Sequence, residues 1–140
     1  MGRAVTQGVE SFFVYQPIQA LAFRLDYTYT QATDEIAHLE LLRGPKHQGS
    51  LNAAWQATSR LSLNATLLAL SSWVDGNRDF SIQRLDAPGY TTVDLAAGYD
   101  VTNHLTVYGR VSNLLDRHYQ NPVGFLQPSV GAFAGVKTKF

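Results

Sequence analysis

The chain has 140 residues, 45% of them hydrophobic, with eleven basic and eleven acidic side chains and no formal net charge. That length can bury a sizeable core, but the charge balance offers nucleic acid no basic stripe. Cysteine is absent, which excludes disulfide scaffolds, thiol catalysis and cysteine-ligated zinc and agrees with an oxidising compartment.

No segment reads as a membrane-spanning helix. The run 61–74 is too short and carries Ser and Asn, and the uncharged run 119–136 is broken by Pro122 and Pro128. The first thirteen residues lack the apolar region of a signal peptide. Met1 is the sole methionine.

The dominant hydrophobic period is two. It predicts seven strands, over about 4–15, 20–31, 46–56, 61–73, 90–100, 105–113 and 130–140. In the second, Leu21, Phe23, Leu25, Tyr27 and Tyr29 alternate with Arg24, Asp26, Thr28 and Thr30. In the fifth, Val93, Leu95, Ala97 and Tyr99 oppose Asp94, Ala96 and Gly98. In the sixth, Leu105, Val107, Gly109 and Val111 oppose Thr106, Tyr108, Arg110 and Ser112. Residues 33–45 read as a long loop, the alternative being a short helix capped by Thr33 and stopped by Gly44-Pro45.

Connections alternate in length. Residues 16–19, 57–60 and 101–104 form short turns, each followed by Leu-x-Leu or a near variant; 32–45, 74–89 and 114–129 are long links. Two strands and one long loop recur about every 40 residues, a period shared with propeller blades, which pack four short strands into it. Short turns on one side and long loops on the other describe an outer-membrane barrel. Tyr15, Trp55, Tyr99 and Phe140 then fall at the short-turn end, and Tyr27, Tyr29, Trp73 and Tyr90 at the long-loop end, as two aromatic girdles. The nine-residue step from Tyr90 to Tyr99 covers roughly 30 Å along a strand and about 20 Å once tilted, close to an outer-membrane apolar band. The expected fold is all-β: an antiparallel up-and-down meander of about seven strands, part of a transmembrane β-barrel. A soluble β-sandwich binding module also alternates and stays open on periodicity alone.

The segment 88–125, followed by a terminal strand ending in Phe140, resembles the C-terminal end of TonB-dependent outer-membrane receptors. The motif residues are Pro88-Gly89-Tyr90, Asp94-Leu95, Asn113-Leu114, Asp116, Tyr119 and Phe140. Residues 41–52, with Arg43, Pro45 and His47, are similar to the vitamin B12 (cobalamin) branch. The last six residues, Gly135 to Phe140, resemble the signal read by the barrel-assembly machinery, although Thr138 departs from its usual apolar residue and 129–133 from the usual entry to the last strand.

The resemblance implies an outer-membrane location in a Gram-negative bacterium and uptake of a scarce nutrient such as cobalamin or a ferric siderophore. It implies lipid and the assembly machinery as partners. Such receptors have about 22 strands around a plug. The expectation is therefore that residues 1–140 are the C-terminal portion of such a barrel, without plug or TonB box, and not competent alone; TonB would be met only through absent N-terminal regions. A small stand-alone outer-membrane protein, structural or adhesive and closing by self-association, is the alternative.

Site expectations follow. Arg24, Asp26, Asn64, Asp94 and Arg110 share the polar parity and should face the lumen, where mutual charge pairing is the plainest role. Loops carry recognition on barrels, so Arg78, Arg84, Tyr119 and Phe125 are the candidates for contacting a small-molecule chelate, against the plain reading of solvated loop. Asn113 and Asp116 sit where a strand gives way to a loop and should bond local backbone. His38, His47, His104 and His118 are dispersed without ligand spacing and read as surface side chains. No Gly-x-Ser-x-Gly, P-loop or HExxH motif is present, so no enzyme, metal site or cofactor is expected. The sequon at Asn64 lies mid-strand and is discounted.

Overall fold

The computed structural model describes residues 3–76, 79 and 81–139. Ten strands follow one another: β1 (Ala4–Ile18), β2 (Leu21–Asp34), β3 (Leu39–Glu40), β4 (His47–Gln56), β5 (Leu61–Leu70), β6 (Trp73–Asp75), β7 (Leu85–Ala87), β8 (Tyr90–Thr102), β9 (Leu105–Ser112) and β10 (Gly131–Thr138). Seven form one antiparallel meander in the order β1-β2-β4-β5-β8-β9-β10, with β3 added to the end of β2; β6 and β7 pair as a separate ribbon. No helix forms at 33–45, where β3 lies instead. Among the described residues β1 and β10 do not pair with each other, so the sheet is open.

The hairpin ends follow from local chemistry. Thr58 Oγ1 accepts the amides of Arg60 and Leu61 at 3.2 and 3.0 Å, and Thr102 Oγ1 accepts that of His104 at 3.2 Å. A threonine hydroxyl thus closes two of the three short turns. At the third, the β1–β2 register shifts between Tyr15 and Ile18, where Pro17 has no amide to give the ladder.

Register assigns the faces. Leu25, Leu51, Leu67 and Val93 lie side by side across β2, β4, β5 and β8. Ala53, Ala65, Leu95, Val111 and Ala132 form a second apolar row. Tyr15, Tyr27, Tyr29, Trp55 and Tyr99 share this face by parity. The opposite parity carries Arg24, Asn52, Thr66 and Asp94 in one row. Among the described residues nothing packs as a second layer on the apolar face, and Leu51, Leu67, Leu95 and Val107 are all exposed. A sandwich would have covered them. Large apolar side chains left bare across the seven-strand meander mark contact with something other than water.

The buried apolar core lies elsewhere, in Trp73, Ala87 and Tyr90, which are 6%, 1% and 7% exposed. This corrects the long-loop girdle. Tyr27 and Tyr29 belong to the apolar face, but Trp73 and Tyr90 are sealed into packing between loops. Tyr90 pairs with Leu70 and so has the polar parity, not that of Tyr99. Phe140 and its expected place in the other girdle lie outside the described residues.

Candidate functional site

The long-loop end holds an organised cluster built by residues 35–46, 71–76, 81–89 and 113–130. Gly89 starts it. A Cβ there would stand 2.8 Å from the carbonyl carbon of Ser71 and 2.9 Å from the amide nitrogen of Ser72. Glycine in Pro88-Gly89-Tyr90 therefore lets the chain entering β8 touch the chain leaving β5. Tyr90 follows immediately. Its ring meets Trp73 edge-on at 6.0 Å and stacks on Tyr119 at 3.9 Å, while Asn121 Nδ2 donates to its hydroxyl at 3.1 Å.

Asn113 and Asp116 turn the chain out of β9. Both have positive φ, 49° and 47°, a conformation Asn and Asp tolerate better than most residues. The Asn113 amide donates to Asp94 Oδ1 at 2.9 Å. Its side chain donates to the carbonyls of Arg117 and Pro128 and accepts the Arg117 amide. Asp116 Oδ1 accepts the Val130 amide at 3.0 Å, so the two ends of the third loop are tied together. These side chains are spent on backbone.

At the centre lies Asp75, whose side chain has no accessible surface. Its Oδ1 accepts Arg43 Nε at 3.0 Å and the Gly76 amide at 2.8 Å; its Oδ2 accepts the Val123 amide at 2.9 Å. One carboxylate thus joins all three loops. Burial alone would push its carboxyl up, but the Val123 amide, the Arg43 guanidinium and the Gly76 amide together hold it below the ordinary value. The three donors together outweigh the desolvation. Two further links brace the first loop: Arg84 Nη1 donates to the Glu40 carbonyl at 2.9 Å, and Lys46 pairs with the Glu40 carboxylate.

The four loop candidates separate. Arg84 braces backbone. Tyr119 is half-buried on Tyr90, and burial, helped by Tyr90 and Asp94, pushes its phenol up. Phe125 keeps an exposed ring. Arg78 lies outside the described residues. Tyr119 lines a cavity of about 350 Å³ that opens between Leu85–Pro88 and the third loop. Of the residues that hold the cluster together, Asp75 and Val123 carry no sequence signal of their own, and the signals at Arg43 and Trp73 point to other roles. Asp75's partners lie 32 and 48 residues away, inside segments that read as solvated loop.

The five residues expected on one polar face share it. Arg24 and Asp26 pair closely, the shortest contact being 2.6 Å from Nη2 to Oδ1. Asn52 Nδ2 donates to Asn64 Oδ1 at 3.1 Å and to Thr66 Oγ1 at 2.8 Å. Asp94 caps Asn113. Arg110 has an aromatic partner, Phe133, with its Cζ 4.9 Å from the ring centre. No group of three His, Asp or Glu among the described residues could hold a metal ion. His47, in the stretch similar to the cobalamin branch, makes a 2.7 Å hydrogen bond to the Tyr27 hydroxyl.

Solved structures share this architecture. FpvA of P. aeruginosa, bound to a heterologous pyoverdine with iron, superposes with a TM-score of 0.84 at 18% identity over 99% of this chain and 20% of its own. The ferric-catecholate import receptor Fiu of E. coli K12 gives 0.82 at 22% identity, over 99% and 21%. The copper transporter OprC gives 0.78 at 15% identity, over 98% and 24%. At these identities the likeness shows the fold, and this chain spans between a fifth and a quarter of each. Residues 1–114 match the family described as TonB dependent receptor-like, beta-barrel. That match covers most of the chain, the solved structures share its whole course, and the chain belongs to the TonB-dependent receptor β-barrel family.

Proposed function

We propose that residues 1–140 are the C-terminal portion of an outer-membrane receptor barrel that takes up a ferric chelate. The apolar face meets lipid, the polar face lines the lumen, and the long loops stand at the extracellular mouth. The observation that carries this is the division of one open sheet into two unlike faces, the apolar one left uncovered. Two of the three superposed structures carry iron chelates in their names. The cobalamin-like stretch gives that cargo little support, because Arg43 and His47 are engaged by Asp75 and Tyr27. Of the loop candidates, Tyr119 lines the 350 Å³ cavity and Phe125 keeps an exposed ring in the same loop, and these two would meet a ligand.

The test is uptake by iron-starved cells with the gene intact, together with its upstream reading frame, or deleted. Radioiron is supplied as a pyoverdine or catecholate chelate, and labelled cobalamin in parallel. Loss of ferric uptake alone supports the assignment. Loss of cobalamin uptake alone overturns the iron reading. Unchanged uptake of both favours the stand-alone structural or adhesive protein.

A further inference from the structure

Among the described residues, the Arg and Lys side chains of the long-loop end are engaged, with one exception. Arg3 pairs with Glu35, Arg43 with Asp75 and Lys46 with Glu40, and Arg84 donates to the Glu40 carbonyl. The Arg117 side chain is exposed and has no such partner among the described residues. Its backbone, by contrast, is fixed. The Asn113 side chain accepts the Arg117 amide at 2.9 Å and donates to the Arg117 carbonyl at 3.0 Å, and Asn113 is itself buried. The neighbouring carboxylate, Asp116, accepts the Val130 amide. The chain thus anchors a cation and leaves it without a counter-charge.

Arg117 borders a depression of about 330 Å³ with Leu70, Gly89, Tyr90, Thr91 and Leu115. Thr91 pairs with Ala69 and has the parity of Leu67 and Val93, so the depression opens at the long-loop edge of the apolar face. That face is free of full charges. At the paired positions of its parity, from β1 to β10, there is no Asp, Glu, Lys or Arg. The opposite parity carries Glu10, Arg24, Asp26, Asp94 and Arg110. Toward the short turns, the next row of the apolar face is Leu25, Leu51, Leu67 and Val93. Leu115, on the rim with Arg117, is also exposed. A fixed cation therefore stands where an uncharged apolar surface stops.

That order is complementary to one kind of partner, a lipid whose chains cover Leu67 and Val93 and whose phosphate reaches Thr91 and Arg117. A guanidinium can meet a phosphate in two parallel charge-assisted bonds, and cations beside a bilayer attract anionic head groups. An acidic protein segment would match Arg117 but leave the leucine row bare. We infer that the edge of the apolar face at Arg117 holds the phosphate of a membrane lipid. The inference rests on the apolar face meeting lipid and adds a head-group preference to it.

The test uses the whole chain refolded in dodecyl maltoside micelles. The chain has no cysteine, so Ala69→Cys, paired with Thr91, carries a single bimane label. The probes are chain-brominated phosphatidic acid and chain-brominated diacylglycerol, which differ in the phosphate alone. Phosphatidic acid should quench the label at a lipid fraction about tenfold lower than diacylglycerol. Arg117→Gln should remove that preference, and Arg117→Lys should keep part of it, since it retains the charge but loses the fork. Lys137→Gln makes the same change of charge on the opposite parity, near the short turns, and should leave the preference intact. The β-sheet circular dichroism should match throughout. Equal quenching by the two lipids, an undiminished preference in Arg117→Gln, or an equal loss in Lys137→Gln overturns the phosphate site while the lipid-facing surface stands. Displacement of phosphatidic acid by millimolar inorganic phosphate assigns the site to free phosphate and overturns the lipid. No quenching by either lipid overturns the lipid-facing surface itself, and the site with it.

Discussion

Tyr108 lies flat over Gly135. The two are directly paired across β9 and β10, and the other neighbour of Tyr108 in its row is Gly98. A large aromatic between two glycines covers backbone that neither glycine can cover itself. This gives Gly135 a reason of its own, apart from its place in a terminal motif.

Gly135→Val should therefore displace the Tyr108 ring and cost about 1–3 kcal/mol, the usual penalty of overpacking. Urea unfolding in detergent reads that loss. Adding Tyr108→Ala to Gly135→Val removes the clash, and the double variant should recover part of it, a coupling visible in a double-mutant cycle. If Gly135 acts only as part of an assembly signal, Tyr108→Ala will restore nothing.

The carboxylate of Asp75 is the second point of leverage. Its folded value lies below the unfolded one, near 3.9 for an ordinary aspartate. Its contribution is then complete above about pH 4 and is lost as pH falls through the folded value. Trp73, packed on Tyr90 in the same cluster, should report loosening of the loops only below about pH 4. Asp75→Asn should lower cluster stability by about 2–3 kcal/mol, because the buried Gly76 and Val123 amides keep at most one good acceptor. The variant's Trp73 signal should also lose its acid transition. An acid transition unchanged in the variant would assign it to another group.

Tyr119, a ligand candidate on the sequence, stacks on Tyr90 and also lines the 350 Å³ cavity. Tyr119→Ala should expose Tyr90 and Trp73 and increase protease cleavage within 113–130, with little effect on the sheet. Tyr90→Phe removes only the hydrogen bond from Asn121 and should cost about 1 kcal/mol. Limited proteolysis and Trp73 emission together separate the two.

What was legible follows from how each element is specified. Most of the meander strands are readable because they concentrate apolar side chains on one parity, so Leu21 to Tyr29 announces β2 without a partner, although β1 and β5 also carry Phe12, Val14, Leu68 and Leu70 on the other. The polar parity of Arg24, Asp26, Asn64, Asp94 and Arg110 came from the same rule. β3, β6 and β7 are two or three residues long and exist through tertiary contact, as when Asp75 reaches Val123 from 48 residues away. Trp73 and Tyr90 were misplaced in a girdle because an aromatic at a strand end satisfies a lipid interface and a loop core equally well. The close approach of Gly89 to Ser71 and Ser72 decides between them, and no period reveals it.

The assignment of the two faces can be tested with two identical neighbours. Leu67 and Leu68 are consecutive in β5 and point to opposite sides. Leu67 lies between Leu51 and Val93, Leu68 between Ser50 and Thr92. If the apolar face meets lipid, Leu67→Arg places a charge in hydrocarbon and should cost about 2–4 kcal/mol near the bilayer midplane. Leu68→Arg places it among hydroxyls in a wet lumen and should cost under about 1 kcal/mol. Urea titrations in phosphatidylcholine vesicles give both values against the same reference. Reversal of the order would put the polar face toward lipid, and equal penalties would mean that neither face meets a bilayer. The comparison is sharp because side-chain type, strand and depth are shared, so parity alone separates the two substitutions.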